Sequence, residues 1–269
     1  MVINHNLSAM NAHRQMGINT DAQAKATEKL SSGQKINRAG DDAAGLAISE
    51  KMRSQIRGLD QGSTNAQDGV SMVQTAEGIM TETHSMLQRL KTLATQSSNG
   101  TEQDSDRALI QKEVASLTSE ITRIASQTNF NGKNILNTTS VVGFQVGNKT
   151  GQEIQITMAT MTANALSISG LSLSSQTNAK AALAKIDDAI TKVSGHRATL
   201  GSVQNRLEHT ITSTDNTAEN LQSAESRIRD TDMAKEMMEY TSKNVLTQAA
   251  QSMLSQANQA PNNVLKLLQ

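Results

Sequence analysis

The sequence predicts a mainly α protein: an elongated coiled-coil or helical-bundle rod with a small β-hairpin region, and a further domain made by pairing the N- and C-terminal helices. Three observations predict it. Apolar residues recur at three- and four-residue spacing over long stretches of chain. Pro261 is the single proline, so little interrupts a long helix. Phe130, Phe144 and Tyr240 are the only aromatic residues and Trp is absent. The core must therefore come from Leu, Ile, Val, Met and Ala, which suits thin helix–helix seams.

At the start of the chain Ile3, Leu7 and Met10 share one helical face, and Ala22, Ala26 and Leu30 continue an apolar stripe. Gly33 stands where a helix C-cap needs a residue free to adopt positive φ. Gly40 loosens the link that follows, and Asp41 and Asp42 supply an N-cap oxygen and negative charge for a new helix. That helix covers about residues 42–96. Met52, Ile56, Leu59, Ala66, Val70, Val73, Met80, Leu87, Leu90 and Ala94 form its heptad seam. At ~1.5 Å per residue it extends about 80 Å.

Asn99-Gly100 turns the chain, and Asp104 and Asp106 open a second helix over about 104–126, with a seam at Ile110, Val114, Leu117, Ile121 and Ile124. Asn131-Gly132 reads as the close of that helical region. The period then changes to two. Val142, Phe144 and Val146 alternate, GNKTG turns, and Ile154, Ile156 and Met158 alternate again, which predicts a β-hairpin over about 140–160. Residues 162–178 are rich in Ser and Thr and weakly patterned, and read as a loop with one short strand. A third long helix over about 179–229 carries Ile186, Ile190, Val193, Leu200, Leu207, Ile211, Ala218, Leu221 and Ile228. At the finish Leu246, Ala250, Met253, Ala257, Ala260, Val264 and Leu267 hold a heptad. Pro261 within it is expected to kink or end the helix, whereas the heptad argues for continuation. The domain organisation is then 1–40, the N-terminal half of the paired-helix domain with its linker; 41–230, the rod; and 231–269, the C-terminal half of the paired-helix domain.

Composition excludes several function classes. The 25 basic and 25 acidic residues cancel, no basic block occurs, and base-stacking aromatics are missing, which argues against nucleic-acid binding. No apolar run approaches the roughly 20 residues needed to span a bilayer, and the first residues contain no apolar signal-peptide core. Cys is absent, which removes disulfides, thiol nucleophiles and thiolate metal sites. His5, His13, His84, His196 and His209 show no HExxH spacing and read as polar helix-face residues. Gly33, Gly40 and Gly45 make no phosphate-binding loop, because no βαβ unit surrounds them. Asn137 and Asn148 begin N-x-Thr tripeptides of a kind that also arises by chance. No constellation points to an enzyme, a cofactor or a metal.

The terminal stripes need a partner, since a helix with an apolar stripe must bury it. Ordering the two terminal segments costs about 1–2 kcal/mol of backbone entropy per residue, and one seam of Ala, Met and Leu is thin recompense. Both termini are therefore expected to be disordered in the free monomer and to fold when neighbouring copies cover them.

The run LSSGQKINRAGDDAAGLAISEKMRSQIRGL at 30–59 resembles the N-terminal signature of bacterial flagellins. So do MVINHNLSAMNAHRQM at the start, NAQDGVSMVQTAEG at 65–78 and QTNFNGKNIL at 127–136. AESRIRDTDMAKEM and QSMLSQANQAPNNVLKLL resemble the family's C-terminal block. The resemblance runs over both ends and most of the rod. It implies a structural subunit that self-polymerises into the flagellar filament for motility, in a minimal form lacking the variable outer domains. It implies as well that the paired terminal helices, 1–40 and 231–269, form an inner coiled-coil domain, whose inner-tube packing falls to Ile3, Leu7, Met10, Leu30, Leu246, Ala250, Met253, Ala257, Val264 and Leu267. Subunit–subunit contact falls to 38–59, namely Arg38, Asp41, Asp42, Met52, Arg53, Ile56, Arg57 and Leu59.

The family also implies type III export to the extracellular filament without a cleaved signal peptide. It implies an export chaperone on about 232–269, and filament-cap and hook-junction proteins as further partners. LQRLKTLATQ at 87–96 resembles the segment read by vertebrate Toll-like receptor 5, with departures at Lys91, Thr92 and Thr95; the matching contacts are Arg89, Leu93 and Glu113. The alternative reading is a hook–filament junction protein, which shares the terminal helices.

Overall fold

The computed structural model describes residues 6–267, with side-chain surroundings over 6–259. In chain order the elements are α1 (Leu7–Ser32), α2 (Ala43–Ser97), α3 (Asp104–Gln127), β1 (Asn129–Phe130), β2 (Lys133–Asn134), β3 (Val141–Gln145), β4 (Glu153–Thr157), α4 (Gln176–Arg229) and α5 (Met233–Leu267). The fold is mainly α with two small antiparallel hairpins. Contacts divide it into two units, Met1–Ile56 with Glu219–Gln269, and Arg57–Ala218. Helices α2 and α4 contribute residues to both.

Local chemistry sets the helix ends. Asn6 Oδ1 accepts the Ala9 N–H at 3.1 Å and caps α1. Gly33, at φ 70°, closes α1 by donating its N–H to the Lys29 carbonyl at 2.8 Å. Asp42 Oδ1 accepts the Gly45 N–H at 2.8 Å at the start of α2. Asp232 Oδ1 caps α5 by accepting from Ala234 and Lys235 at 3.0 and 3.2 Å. Beyond Pro261 α5 runs on to Leu267, so the heptad prevails over the missing N–H.

In the Arg57–Ala218 unit the expected seams meet. Val73, Met80, Leu87 and Leu90 of α2 are buried, as are Ile110, Val114 and Ile121 of α3 and Ile186, Val193, Leu200 and Leu207 of α4. Asn131 and Gly132, at φ 49° and 77°, do not simply end α3. They form the two-residue turn of the β1–β2 hairpin, in which Phe130 pairs with Lys133. The second hairpin pairs Val141 with Thr157 through Gln145 with Glu153. It buries Ile154 and Ile156 on one face and leaves Val141 exposed on the other.

That hairpin lies directly on α2. A Cβ at Gly62 would stand 2.6 Å from the Val146 carbonyl oxygen, and one at Gly58 2.7 Å from the Asn148 Cβ. Glycine in mid-helix is thus the condition for this close approach. Asn65 Nδ2 donates to the Gln145 carbonyl at 3.0 Å and fixes the register of the contact.

The Ser-rich segment differs from its expectation. It contains no strand, and α4 already begins at Gln176. Yet Leu166, Ile168, Leu171 and Leu173 are buried and alternate with exposed residues. The Gln111 amide pins the segment by donating to the Leu171 carbonyl at 2.9 Å and accepting the Leu173 N–H at 2.6 Å. Ser97 Oγ donates to the Leu173 carbonyl at 2.7 Å. Leu166 with Ile168, and after Ser169 and Gly170 Leu171 with Leu173, feed the core, and side chains on α2 and α3 replace a partner strand.

Candidate assembly surfaces

Helices α1 and α5 run antiparallel. Asn6 Nδ2 donates to the Ala257 carbonyl at 2.7 Å near one end, and Lys29 Nζ stands 3.7 Å from Glu236 Oε1 at the other. Ala26 and Glu236 are the buried residues of the pair among those described, and Leu30, Ala250 and Ala257 are half-buried. Both terminal segments are thus helical in the single chain, in contrast to the disorder expected from the sequence. End caps, an ion pair and a seam of small residues suffice to define the pairing, because small side chains let the backbones approach.

The seam uses only part of the apolar surface. Leu7 is 70% exposed, Met10 61%, Met238 68% and Met253 67%, and Ile18, Val245 and Leu246 are exposed as well. Met237, Met238, Thr241, Ser242, Val245 and Leu246 line an open groove of about 530 Å³ on α5. Of the residues assigned to inner-tube packing, Leu7, Met10, Leu246 and Met253 therefore sit outside the pair's own seam. Ile3 lies outside the described residues, as do the side chains of Val264 and Leu267.

The linkers at the base of the pair bind each other. Lys35 N–H donates to the Arg229 carbonyl at 2.7 Å and Thr231 N–H to the Gly33 carbonyl at 3.0 Å, around a bridge between Gln34 and Asp230. Arg229 reaches Glu50 Oε1 from Nη1 at 2.6 Å and Gln34 Oε1 from Nε at 3.1 Å. Arg53 Nε stands 3.3 Å from Oε1 of the buried Glu225, a charge contact not aligned as a hydrogen bond. Asp41 folds the loop before α2 by accepting from the N–H groups of Arg38 at 3.0 Å and Asn37 at 3.2 Å. These two bonds hold its carboxyl below the usual carboxylate range.

The residues assigned to subunit contact divide accordingly. Asp41, Asp42 and Arg53 have work inside the chain, and Arg38 pairs with Glu28 at 2.9 Å while remaining exposed. Met52, Ile56 and Leu59 are half-buried and Arg57 is exposed.

In the other unit Arg89 Nε donates to Glu113 Oε1 at 2.8 Å, an exposed bridge from α2 to α3. Leu93 is 3% exposed and belongs to the core. A feature missed from the sequence is Arg107, a buried cation at the α2–α3 turn. It donates from Nε to the Ser97 carbonyl at 3.0 Å, from Nη2 to the Asn99 carbonyl at 3.0 Å and from Nη1 to Asp104 Oδ1 at 2.8 Å. One side chain thereby satisfies carbonyls at the end of one helix and meets an acid at the start of the next.

The described histidines have separate surroundings. His13 and His209 are exposed, and Gln88 Nε2 lies 2.9 Å from His84 Nε2. His196 Nε2 accepts the Ala159 N–H at 3.2 Å, and burial lowers its pKa. His5 lies outside the described residues. No group of three or more His, Cys, Asp or Glu among the described residues could hold a metal ion. No helix among them is long and apolar enough to cross a membrane.

Two family models match the chain: the bacterial flagellin N-terminal helical region over residues 3–140 and the bacterial flagellin C-terminal helical region over residues 183–268. A flagellin from Halalkalibacterium halodurans is 56% identical over 271 residues, covering 100% of both chains. The flagellar filament 31.3 kDa core protein of Treponema maltophilum is 49% identical over 286 residues, again covering 100% of both. The crystal structure of Bacillus cereus flagellin aligns with a TM-score of 0.51 at 32% identity, covering 60% of this chain and 94% of that one.

Proposed function

Because the chain belongs to the bacterial flagellin family, we propose that it is the structural subunit of an extracellular flagellar filament, polymerising with copies of itself for motility. One observation carries this reading: after α1 and α5 have paired, a second apolar stripe with Leu7, Met10, Leu246 and Met253 still faces solvent. An exposed apolar helix surface of this kind marks a place where further apolar surface packs. In a homopolymer the covering surface is the same pair on neighbouring copies.

The segment 38–59 makes the lateral contacts, with Arg38, Arg57 and Leu59 offering side chains and Asp41, Asp42 and Arg53 holding the shape that presents them. About 232–269 is the docking segment for an export chaperone, and filament-cap and hook-junction proteins complete the partners. Export proceeds through the type III route without a cleaved signal peptide. The role is structural, with no catalysis.

Electron microscopy and sedimentation of the purified chain test the proposal. The full chain is expected to form long filaments. A chain lacking 246–269 is expected to stay monomeric while its Arg57–Ala218 unit still unfolds cooperatively. Short or no polymer from the full chain would favour the hook–filament junction alternative.

The exposed Arg89–Glu113 bridge supports a second, host-facing role as a ligand of Toll-like receptor 5 in the monomer. With Leu93 in the core, recognition rests on the two charged side chains, Arg supplying a rigid donor fork. Unchanged receptor pull-down by Arg89→Ala would remove it.

A further inference from the structure

Methionine is partitioned in this chain. Met72, Met80, Met158 and Met161 are buried in the Arg57–Ala218 unit. Every exposed methionine among the described residues, namely Met10, Met233, Met237, Met238 and Met253, lies on α1 or α5. Met237 and Met238 line the groove on α5 with Val245 and Leu246. Met10 stands one turn into α1 from Asn6, and Met253 one turn before Ala257. The hydrogen bond between Asn6 and Ala257 therefore sets them at one level of the pair. Five of the nine large apolar residues exposed on α1 and α5 among the described residues are thus methionines.

We infer that these exposed methionines form a peroxide-sensitive modification site that blocks polymerisation when oxidised and is shielded once the filament has formed. The inference rests on the filament reading above. Leu at these positions would give the same apolar surface with no such chemistry, and Met differs from it in having a sulfur lone pair.

The step is a two-electron oxygen transfer from hydrogen peroxide. The Sδ lone pair attacks one peroxide oxygen, an S–O bond forms and the O–O bond breaks. The departing oxygen leaves as hydroxide and takes the proton of the transferred oxygen, forming water. Sulfur is oxidised to the sulfoxide and peroxide is reduced. The product is a strong dipole on a formerly apolar side chain, and a neighbouring copy would bury it without a partner.

The test exposes full-length monomer and preformed filament to hydrogen peroxide and maps the added oxygen by peptide mass spectrometry. In the monomer, Met237, Met238 and Met253 are expected to oxidise at least about tenfold faster than Met72, Met80 and Met158, and in the filament that difference is expected to vanish. Oxidised monomer is expected to polymerise at least about tenfold less readily by light scattering, with recovery after methionine sulfoxide reductase.

The variant M10L/M233L/M237L/M238L/M253L is expected to polymerise equally with and without peroxide. Uniform oxidation across all sites, or polymerisation unaffected by oxidation at Met237, Met238 and Met253, overturns the inference and leaves the filament reading intact. Peroxide inhibition that persists in the leucine variant, or that reductase fails to reverse, overturns it as well. An untreated chain that forms no filament refutes the filament reading and takes this inference with it.

Discussion

Arg229 donates from Nη1 to Glu50 Oε1 at 2.6 Å, which ties the last turn of α4 to the second turn of α2 across 179 residues of chain. The guanidinium is nearly buried and the carboxylate half exposed. The same side chain also bonds Gln34 in the linker after α1. Arg229→Gln keeps a polar head but loses the charge and the two-pronged reach. The expected loss is about 1–2 kcal/mol, the range for hydrogen bonds to a charged group with solvent access to one partner. Urea unfolding followed by circular dichroism checks it. A double-mutant cycle with Glu50→Gln is expected to show coupling of about 0.5 kcal/mol or more.

Gly62 and Gly78 both sit inside α2, and they are expected to respond oppositely to alanine. At Gly78 nothing lies within 4 Å of an added Cβ, so Gly78→Ala collects the helix-propensity gain of about 0.5–1 kcal/mol. At Gly62 the same methyl would stand 2.6 Å from backbone at Val146, which cannot rotate away. Overpacking of about 1–3 kcal/mol outweighs the propensity gain, and Gly62→Ala destabilises. Thermal melting of the two variants decides the sign. Hydrogen exchange at 141–157 is expected to quicken only in Gly62→Ala.

These glycines show where the sequence was legible. Heptads gave the long helices because a seam between helices repeats every three or four residues, and Val73, Met80, Leu87 and Leu90 landed in the core as read. The hairpin followed from the alternation around Phe144 and Ile154. Gly58, Gly62 and Gly69 carried a signal that went unread, since at all three a Cβ would crowd the hairpin, at Val146 and Asn148 or at the Phe144 ring. Leu166, Ile168, Leu171 and Leu173 were hidden among serines, although their alternation marks a half-buried segment. Arg107 could not be anticipated, because its burial depends on where a turn leaves open carbonyls. At the termini the heptad found apolar positions but not which of two stripes faces the partner helix. Small residues such as Ala26 and Ala250 took the inner seam and larger ones such as Leu7 and Met253 stayed outside.

His196 makes stability depend on pH. Its Nε2 accepts the Ala159 N–H, which requires the neutral ring, and burial holds its pKa below the ordinary 6.5. The folded chain therefore binds this proton less readily than the unfolded chain. The contribution is complete above about pH 6.5 and is lost as pH falls through the lowered folded-state value. His196→Gln supplies an acceptor that does not titrate. Urea midpoints at pH 7.5 and pH 5 are expected to separate further for the parent than for His196→Gln. Equal separations would reject the assignment.

The α1–α5 pair is expected to be the least stable part of the monomer. Among its described residues only Ala26 and Glu236 are buried, whereas every turn of α2 between Met72 and Ala94 places a side chain in the core. Local opening follows buried apolar contact, so amides of α1 and α5 should exchange well before those of α2. Polymerisation covers the outer stripe and adds that burial to the same helices. Amide exchange in α1 and α5 is then expected to slow by at least about tenfold in the filament, with each factor of ten worth about 1.4 kcal/mol, while the centre of α2 changes little. Hydrogen–deuterium exchange on monomer and filament reads both at once. If α1 and α5 are already as protected as α2 in the monomer, the pair is self-sufficient and the uncovered stripe has no claim on a neighbouring copy.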